Sequence, residues 1–139
     1  MYRSILATLA LATTLIVATS PAQAFGWNKE LRACDNPHVL KRIVSRFRYQ
    51  VRHVPHLPDV KITSLDRIHQ HRFIPAGEKR PIARRYCMAT ATLSDGRHRS
   101  VWYLIESDMG FASVGSGVEF CVSGFDRWNV YNNSCRILR

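Results

Sequence analysis

Residues 84–106 read RRYCMATATLSDGRHRSVWYLIE, and this stretch decides the fold. Two runs suited to β-strands flank Asp95-Gly96, a pair that fits the positive φ angles of a two-residue type I′ turn. The sequence therefore predicts a β-hairpin. The register expected from this turn sets these residues opposite each other: Leu93 and His98, Ala91 and Ser100, Ala89 and Trp102, Cys87 and Leu104, Arg85 and Glu106. The small residues of this face would let a helix pack on it, and the last pair predicts a structural ion pair.

A helix precedes the hairpin. Asp35-Asn36-Pro37 is typical of a helix start, because Asp or Asn caps free backbone N–H groups and proline is tolerated at the first helical position. Apolar residues then recur every three or four positions up to about residue 53: Val39, Leu40, Ile43, Val44, Phe47 and Val51. Pro55 and Pro58 end the pattern. We therefore expect one long amphipathic helix over residues 37–53.

The remaining segments complete an α+β pattern. Residues 60–73 fit either strand alternation or helical spacing, and their content of Val, Ile and Thr favours a strand. Residues 75–81 form a loop, residues 118–123 predict a further strand, and residues 126–139 form a tail. One helix followed by three or four consecutive antiparallel strands predicts a meander packed on the helix, as in cystatin-like or half-NTF2-like folds. That comparison implies no function.

The first 24 residues have the features of a signal peptide. Arg3 precedes an uncharged apolar run, and Ala22-Gln23-Ala24 supplies the small residues that signal peptidase requires. We therefore expect cleavage before Phe25 and a single domain over residues 25–139, located in a bacterial periplasm or secreted. A membrane anchor is the alternative, but the run is shorter than the roughly 20 residues that span a bilayer. The remaining length, about 115 residues, suffices for one core.

Four cysteines lie in the expected mature domain: Cys34, Cys87, Cys121 and Cys135. An even number behind a signal peptide indicates two disulfides, with three possible pairings. If the helix runs antiparallel to the first strand, its start lies near the start of the second strand. This arrangement favours a pair between Cys34 and Cys87, and it leaves Cys121 and Cys135 to tie the tail to the last strand.

Several short motifs occur together across the expected domain. They are Cys34-Asp35 with Pro37, Arg85-Tyr86-Cys87, Leu93-Ser94-Asp95-Gly96, Tyr103-Leu104-Ile105-Glu106, Gly110-Phe111, and Val118-Glu119-Phe120-Cys121-Val122 with Gly124, Asp126 and Cys135. In these motifs the chain resembles a family of small exported bacterial proteins of unknown function. The resemblance implies export and the fold, and it implies no mechanism.

Candidate catalytic or metal-binding residues are few. His69 and His71 would project from one face of a strand and could hold a metal, but Asp66, the nearest third ligand, would lie on the opposite face. Ser94 and Asp95 lie near a histidine, yet Ser-Asp-Gly is what a tight turn requires for backbone reasons. We therefore expect no enzymatic activity, no metal and no cofactor.

The formal net charge of +10 is the feature that folding does not explain. The helix carries much of it on its outer face: Lys41, Arg42, Arg46, Arg48 and Arg52. This face predicts binding of an anionic lipid, a wall polymer or an acidic protein of the cell envelope. Nucleic acid is not expected, because no stacking motif of the single-strand-binding type occurs. The alternatives are charge that only aids solubility, a small-ligand or metal-binding protein, and an enzyme inhibitor.

Overall fold

The computed structural model of the protein describes residues 34–107 and 116–139. The elements in chain order are helix α1 (Pro37–His53) and strands β1 (Ile62–Ile74), β2 (Arg84–Leu93), β3 (His98–Ser107) and β4 (Ser116–Val122), with a short 3-10 helix at Arg136–Leu138. The four strands form one antiparallel sheet in the order β1-β2-β3-β4. The predicted α+β class is confirmed. The predicted signal peptide and its cleavage site lie outside the described residues.

The local sequence explains both ends of α1. The side-chain oxygen of Asn36 accepts hydrogen bonds from two backbone N–H groups of the first turn, at 2.8 and 3.4 Å. Pro37 follows at a position where a helix needs no N–H donor. The helix ends at His53, because Val54 is extended and Pro55 comes next. In the structure α1 therefore spans Pro37–His53.

The turn between β2 and β3 contains three residues, where the sequence predicted two. The N–H of Gly96 donates to the carbonyl of Leu93, and the N–H of Leu93 donates to the carbonyl of Arg97, both at 2.9 Å. The loop is therefore Ser94, Asp95 and Gly96, and Gly96 has a φ of 80°. A type I turn followed by a left-handed glycine is the common three-residue hairpin, and Asp-Gly fits it as well as the shorter turn.

The longer turn shifts the register of the hairpin by one residue. The observed pairs include Ala91 and Arg99, Ala89 and Val101, Cys87 and Tyr103, and Arg84 and Glu106. Since a shift of one residue moves side chains to the other face of a sheet, Trp102 and Leu104 lie opposite the face predicted for them. The predicted ion pair of Arg85 with Glu106 is also wrong, because Nε of Arg84 donates to Glu106 at 2.8 Å.

The main core lies between α1 and one face of the sheet. The helix contributes Val39, Ile43, Phe47 and Val51, and the strands contribute mainly Ala89, Ala91, Leu93, Val101, Tyr103, Ile105, Val118 and Val122. Ala89 and Ala91 are fully buried, which confirms their predicted place beneath the helix. Phe47 also packs edge-to-face on Phe125, with ring centroids 4.9 Å apart.

The C-terminal tail covers part of the opposite face of the sheet, which we call the far face. Buried residues of the tail and the strands form a second cluster there: Tyr86, Leu104, Cys121, Cys135 and Leu138. Trp102 packs against this cluster and is partly buried. The large residues that the sequence placed beneath the helix therefore serve a second, smaller core.

Both disulfides have the favoured pairing. Cys34 is bonded to Cys87, which joins the start of α1 to β2, and Cys121 is bonded to Cys135, which holds the tail against β4. The hydroxyl of Tyr103 donates to the carbonyl of Cys34 at 2.6 Å. Burial raises the pKa of Tyr103, so the phenol stays protonated and able to donate.

Candidate functional site: a basic groove between α1 and β1

A groove of about 420 Å³ lies between the second half of α1 and the start of β1. We call it the basic groove and define it by its main lining residues: Val44, Arg48, Tyr49, Arg52, Lys61 and Ile62. Its volume lies in the range of ligand pockets in proteins. Two apolar side chains, three cations and one aromatic ring therefore meet in one concave surface.

The sequence places these side chains through helical spacing and one chain reversal. Val44, Arg48 and Arg52 follow one another at four-residue intervals, so they lie along one flank of α1. Lys61 comes from the other side of the groove, just before β1. Its backbone is anchored to the hairpin turn, because its carbonyl accepts from the N–H of Ser94 at 2.8 Å and its N–H donates to the Ser94 hydroxyl at 3.1 Å.

Arg48 connects the two walls of the groove. Its Nη1 donates to the carboxylate of Asp59 and, at 3.2 Å, to the carbonyl of Val60. The Asp59 side chain is 79% exposed, whereas that of Arg48 is 30% exposed. The guanidinium of Arg48, which lines the groove, thus already holds a solvent-exposed carboxylate.

The end of α1 adds an aromatic surface and further positive charge. Tyr49 is 65% exposed, and its ring stacks on that of His53 with centroids 3.8 Å apart. Cations such as Arg52 in the last turn are favoured by the helix dipole. Lys61 lies outside α1, so the dipole of α1 does not explain why a third cation lies across the groove.

The structure separates the five cations that the sequence grouped on one face. Arg48 and Arg52 line the basic groove, whereas Lys41 and Arg42 are exposed on α1 and do not line it. Arg46 reaches the other flank, where its Nη1 donates to the carbonyl of Val118 in β4 at 3.2 Å. Each residue turns a helix by about 100°, so Arg46 and Arg48 project from opposite flanks.

Sequence reasoning missed Lys61 and Tyr49 as members of the site. Tyr49 could have been found, because its spacing of four residues from His53 places both rings on one side of the helix. No pattern in the sequence indicates Lys61. Its position depends on the chain reversal after α1 and on the contact of β1 with the hairpin turn.

A second, more polar depression of about 340 Å³ opens on the uncovered part of the far face. Its lining includes Arg67, His69, Thr90 and His98, and Nε of Arg67 donates to the Thr90 hydroxyl at 3.2 Å. His69 lies across from Met88, whereas His98 lies across from Thr92, four residues further along β2. At about 3.3 Å per residue this offset separates the two histidines too widely for one metal ion.

His69 and His71 also have different surroundings. His71 packs edge-on against the ring of Trp102, with centroids 5.3 Å apart, and edge-on against the ring of Tyr86, with centroids 6.1 Å apart. Burial lowers the pKa of His71. Within residues 34–107 and 116–139, no group of three or more His, Cys, Asp or Glu side chains is arranged to hold a metal ion.

Comparison with known proteins gives this site no precedent: no family model, curated protein or solved structure matches the chain. Within the part of the chain that the structure describes, no helix is both long enough and apolar enough to cross a membrane.

Proposed function

We propose that this protein is a non-enzymatic binding module of the periplasm or the extracellular space, and that its basic groove takes an acidic segment of a partner protein. The observation that carries this proposal is the joint lining of one groove by Arg48, Arg52 and Lys61 beside Val44 and Ile62. A segment that alternates carboxylates with apolar side chains would satisfy both kinds of lining.

The chemistry of the cations favours carboxylates. Arginine presents a planar fork of donors that matches a carboxylate in a bidentate contact, and such charge-assisted hydrogen bonds are stronger than neutral ones. Arg48 already makes one charge-assisted hydrogen bond to a carboxylate within the chain, from Nη1 to Oδ1 of Asp59. Because Asp59 is largely exposed, a carboxylate of the partner can replace it without disturbing a buried group.

The location and the finer fold assignment belong to the same proposal. Two disulfides in one small domain suggest an oxidising compartment, which agrees with the signal-peptide features of the first 24 residues. The comparison with cystatin-like or half-NTF2-like folds and the resemblance to small exported bacterial proteins stay predictions. A meander over one helix supports the first of these.

The proposal is tested with a short labelled peptide of alternating glutamate and leucine, and with a matched peptide in which glutamine replaces glutamate. At low salt we expect the acidic peptide to bind and the glutamine peptide not to bind. The affinity for the acidic peptide should fall steeply as the salt concentration rises. The double variant Arg52→Glu with Lys61→Glu should weaken binding by at least about tenfold, or 1.4 kcal/mol. Arg48 is left intact in this design, because it also bonds to the carbonyl of Val60 in the segment just before β1.

The control is the double variant Lys79→Glu with Arg80→Glu, which changes the net charge by the same amount in an exposed loop outside the groove. It should bind the acidic peptide within about twofold of the unmodified protein if location matters more than net charge. Equal losses in the two double variants would contradict the groove. A third result would indicate a lipid ligand. If the acidic peptide does not bind, and the unmodified protein binds anionic lipid vesicles but the groove variant does not, then the groove binds a lipid head group and not an acidic segment.

A further inference from the structure

The C-terminal tail, residues 126–139, exposes apolar side chains that belong to neither core. We call this segment the C-terminal lobe when its outer surface is meant. Trp128 is 66% exposed, Val130 64% and Ile137 55%. In the described part of the chain five large hydrophobic residues are exposed, and these are three of them. Elsewhere the lobe buries its apolar residues, since Leu138 is fully buried in the second cluster. The lobe therefore combines a packed side with three exposed apolar side chains.

The lobe is attached to the sheet and hydrogen-bonded within itself. The disulfide from Cys135 to Cys121 anchors it to β4, and Leu138 packs in the second cluster on the far face. Within the lobe, the N–H of Ile137 donates to the carbonyl of Tyr131 at 3.4 Å. This bond brings Ile137 close to the segment that carries Val130. Four consecutive residues also hold left-handed φ angles between 56° and 63°: Asn132, Asn133, Ser134 and Cys135. Such a run persists only where the surroundings hold it, so the apolar side chains are presented by a fixed backbone.

The charges around these residues are mainly positive. The lobe contains Arg127, Arg136 and Arg139, and its one acidic side chain, Asp126, is turned inward. Oδ1 of Asp126 accepts from the N–H of Tyr131 at 3.3 Å, and Oδ2 is buried without a hydrogen-bond partner.

Burial is the main cause that raises the pKa of Tyr131. Glu119 of β4 and Asp126 raise it further, and Arg46 of α1 lowers it with a smaller effect. The side chains of the lobe itself comprise three arginines and one aspartate, so the lobe is positively charged.

We propose that the C-terminal lobe is a membrane-attachment surface that inserts Trp128, Val130 and Ile137 into the interface of an anionic phospholipid bilayer. Tryptophan favours this interface, because its ring is apolar and its N–H is polar. Arginines next to shallowly inserted apolar residues contact lipid phosphates and are attracted by an anionic leaflet. Charge complementarity thus favours anionic lipid over a neutral surface.

This surface goes beyond the proposed function, because it uses other residues and a different kind of partner. The basic groove lies between α1 and the start of β1, on the helix side of the sheet, whereas the lobe packs on the far face. A protein attached through the lobe would keep the groove clear of the membrane. The module would then hold an acidic segment close to a lipid surface.

The test uses the oxidised protein with vesicles of phosphatidylglycerol and phosphatidylcholine, and with vesicles of phosphatidylcholine alone. We expect co-sedimentation with the anionic vesicles only. Lipids brominated near the top of the acyl chain should quench tryptophan emission, and the variant Trp128→Phe should lose most of that quenching. The double variant Trp128→Ser with Val130→Ser should lower partitioning at least tenfold.

The control is Phe73→Ser, which removes an exposed aromatic residue of β1 that lies outside the lobe and does not line the basic groove. It should partition like the unmodified protein. An equal loss in this control and in the lobe double variant would overturn the proposal, and so would binding to anionic vesicles without quenching. Absence of vesicle binding at low salt would also overturn it and would leave the lobe as a docking surface for protein. Each of these results is independent of peptide binding in the basic groove.

Discussion

Replacing Cys34 and Cys87 together by alanine should destabilise the domain more than replacing Cys121 and Cys135 together. In the chain-entropy description, a disulfide stabilises by restricting the unfolded chain, and the effect grows with the length of the closed loop. The first bond joins residues 53 positions apart, and the second joins residues 14 positions apart. The corresponding losses are about 4 kcal/mol and about 3 kcal/mol.

Local structure should widen this difference. The first bond holds the start of α1, and the Cys34 carbonyl accepts the Tyr103 hydroxyl inside the main core. The second bond holds only the tail, which can detach while α1 stays folded on the sheet. Urea unfolding followed by far-ultraviolet circular dichroism measures both variants, and double replacement avoids free thiols. A larger loss for the Cys121 and Cys135 variant would refute the reasoning and would make the tail the main determinant of stability.

Three further predictions concern the main core. Ala89→Leu should destabilise by about 1–3 kcal/mol, because Ala89 is fully buried beneath α1 and the larger side chain of leucine has no room there. Thr90→Val on the far face should cost less than that in the same urea experiment, and the reverse order would mean that the faces are wrongly assigned. Tyr103→Phe should cost about 1–3 kcal/mol, because it leaves the buried Cys34 carbonyl without its donor. Since burial raises the pKa of Tyr103, the unmodified protein should lose stability as pH rises above the ordinary tyrosine pKa, about 10, and Tyr103→Phe should lose less over that range. An identical pH dependence for the two proteins would contradict this.

Local sequence signals were sufficient for the helix and for the cysteine pairing. The cap at Asn36, the apolar repeat and Pro55 each act within a few residues, so the bounds of α1 follow from short-range chemistry. The pairing of the cysteines follows from the expected direction of the helix relative to the sheet. An antiparallel helix places Cys34 next to Cys87, and the second pair follows by elimination.

The register and the second core depend on longer-range packing. Asp95-Gly96 fits two turn types, and the choice between them decides which face carries Trp102 and Leu104. The longer turn places these two residues under the tail, where Leu138 covers them. If only the packing of α1 on the sheet is considered, and the tail is left out, nothing favours large residues on the far face.

The candidate site was predictable only in part for the same reason. Arg48 and Arg52 were identifiable from the charge pattern of α1, because a helical period fixes which flank they share. Arg46 was grouped with them, yet it bonds to β4, and only the position of that strand separates it from the groove. Lys61 is contributed by a different segment of the chain. A concave site built by two elements requires their relative placement, which a one-dimensional pattern does not contain.

The edge strand beside the basic groove restricts how a partner can bind. An exposed edge invites pairing with another strand, but β1 is interrupted by irregularities in its register, and Arg67 takes a left-handed φ of 52°. Charged and polar side chains also occupy most of the exposed positions of β1. These features oppose continuous backbone pairing along the edge. An acidic segment in the groove would therefore be recognised through its side chains, so its affinity should depend on charge and salt more than on strand propensity.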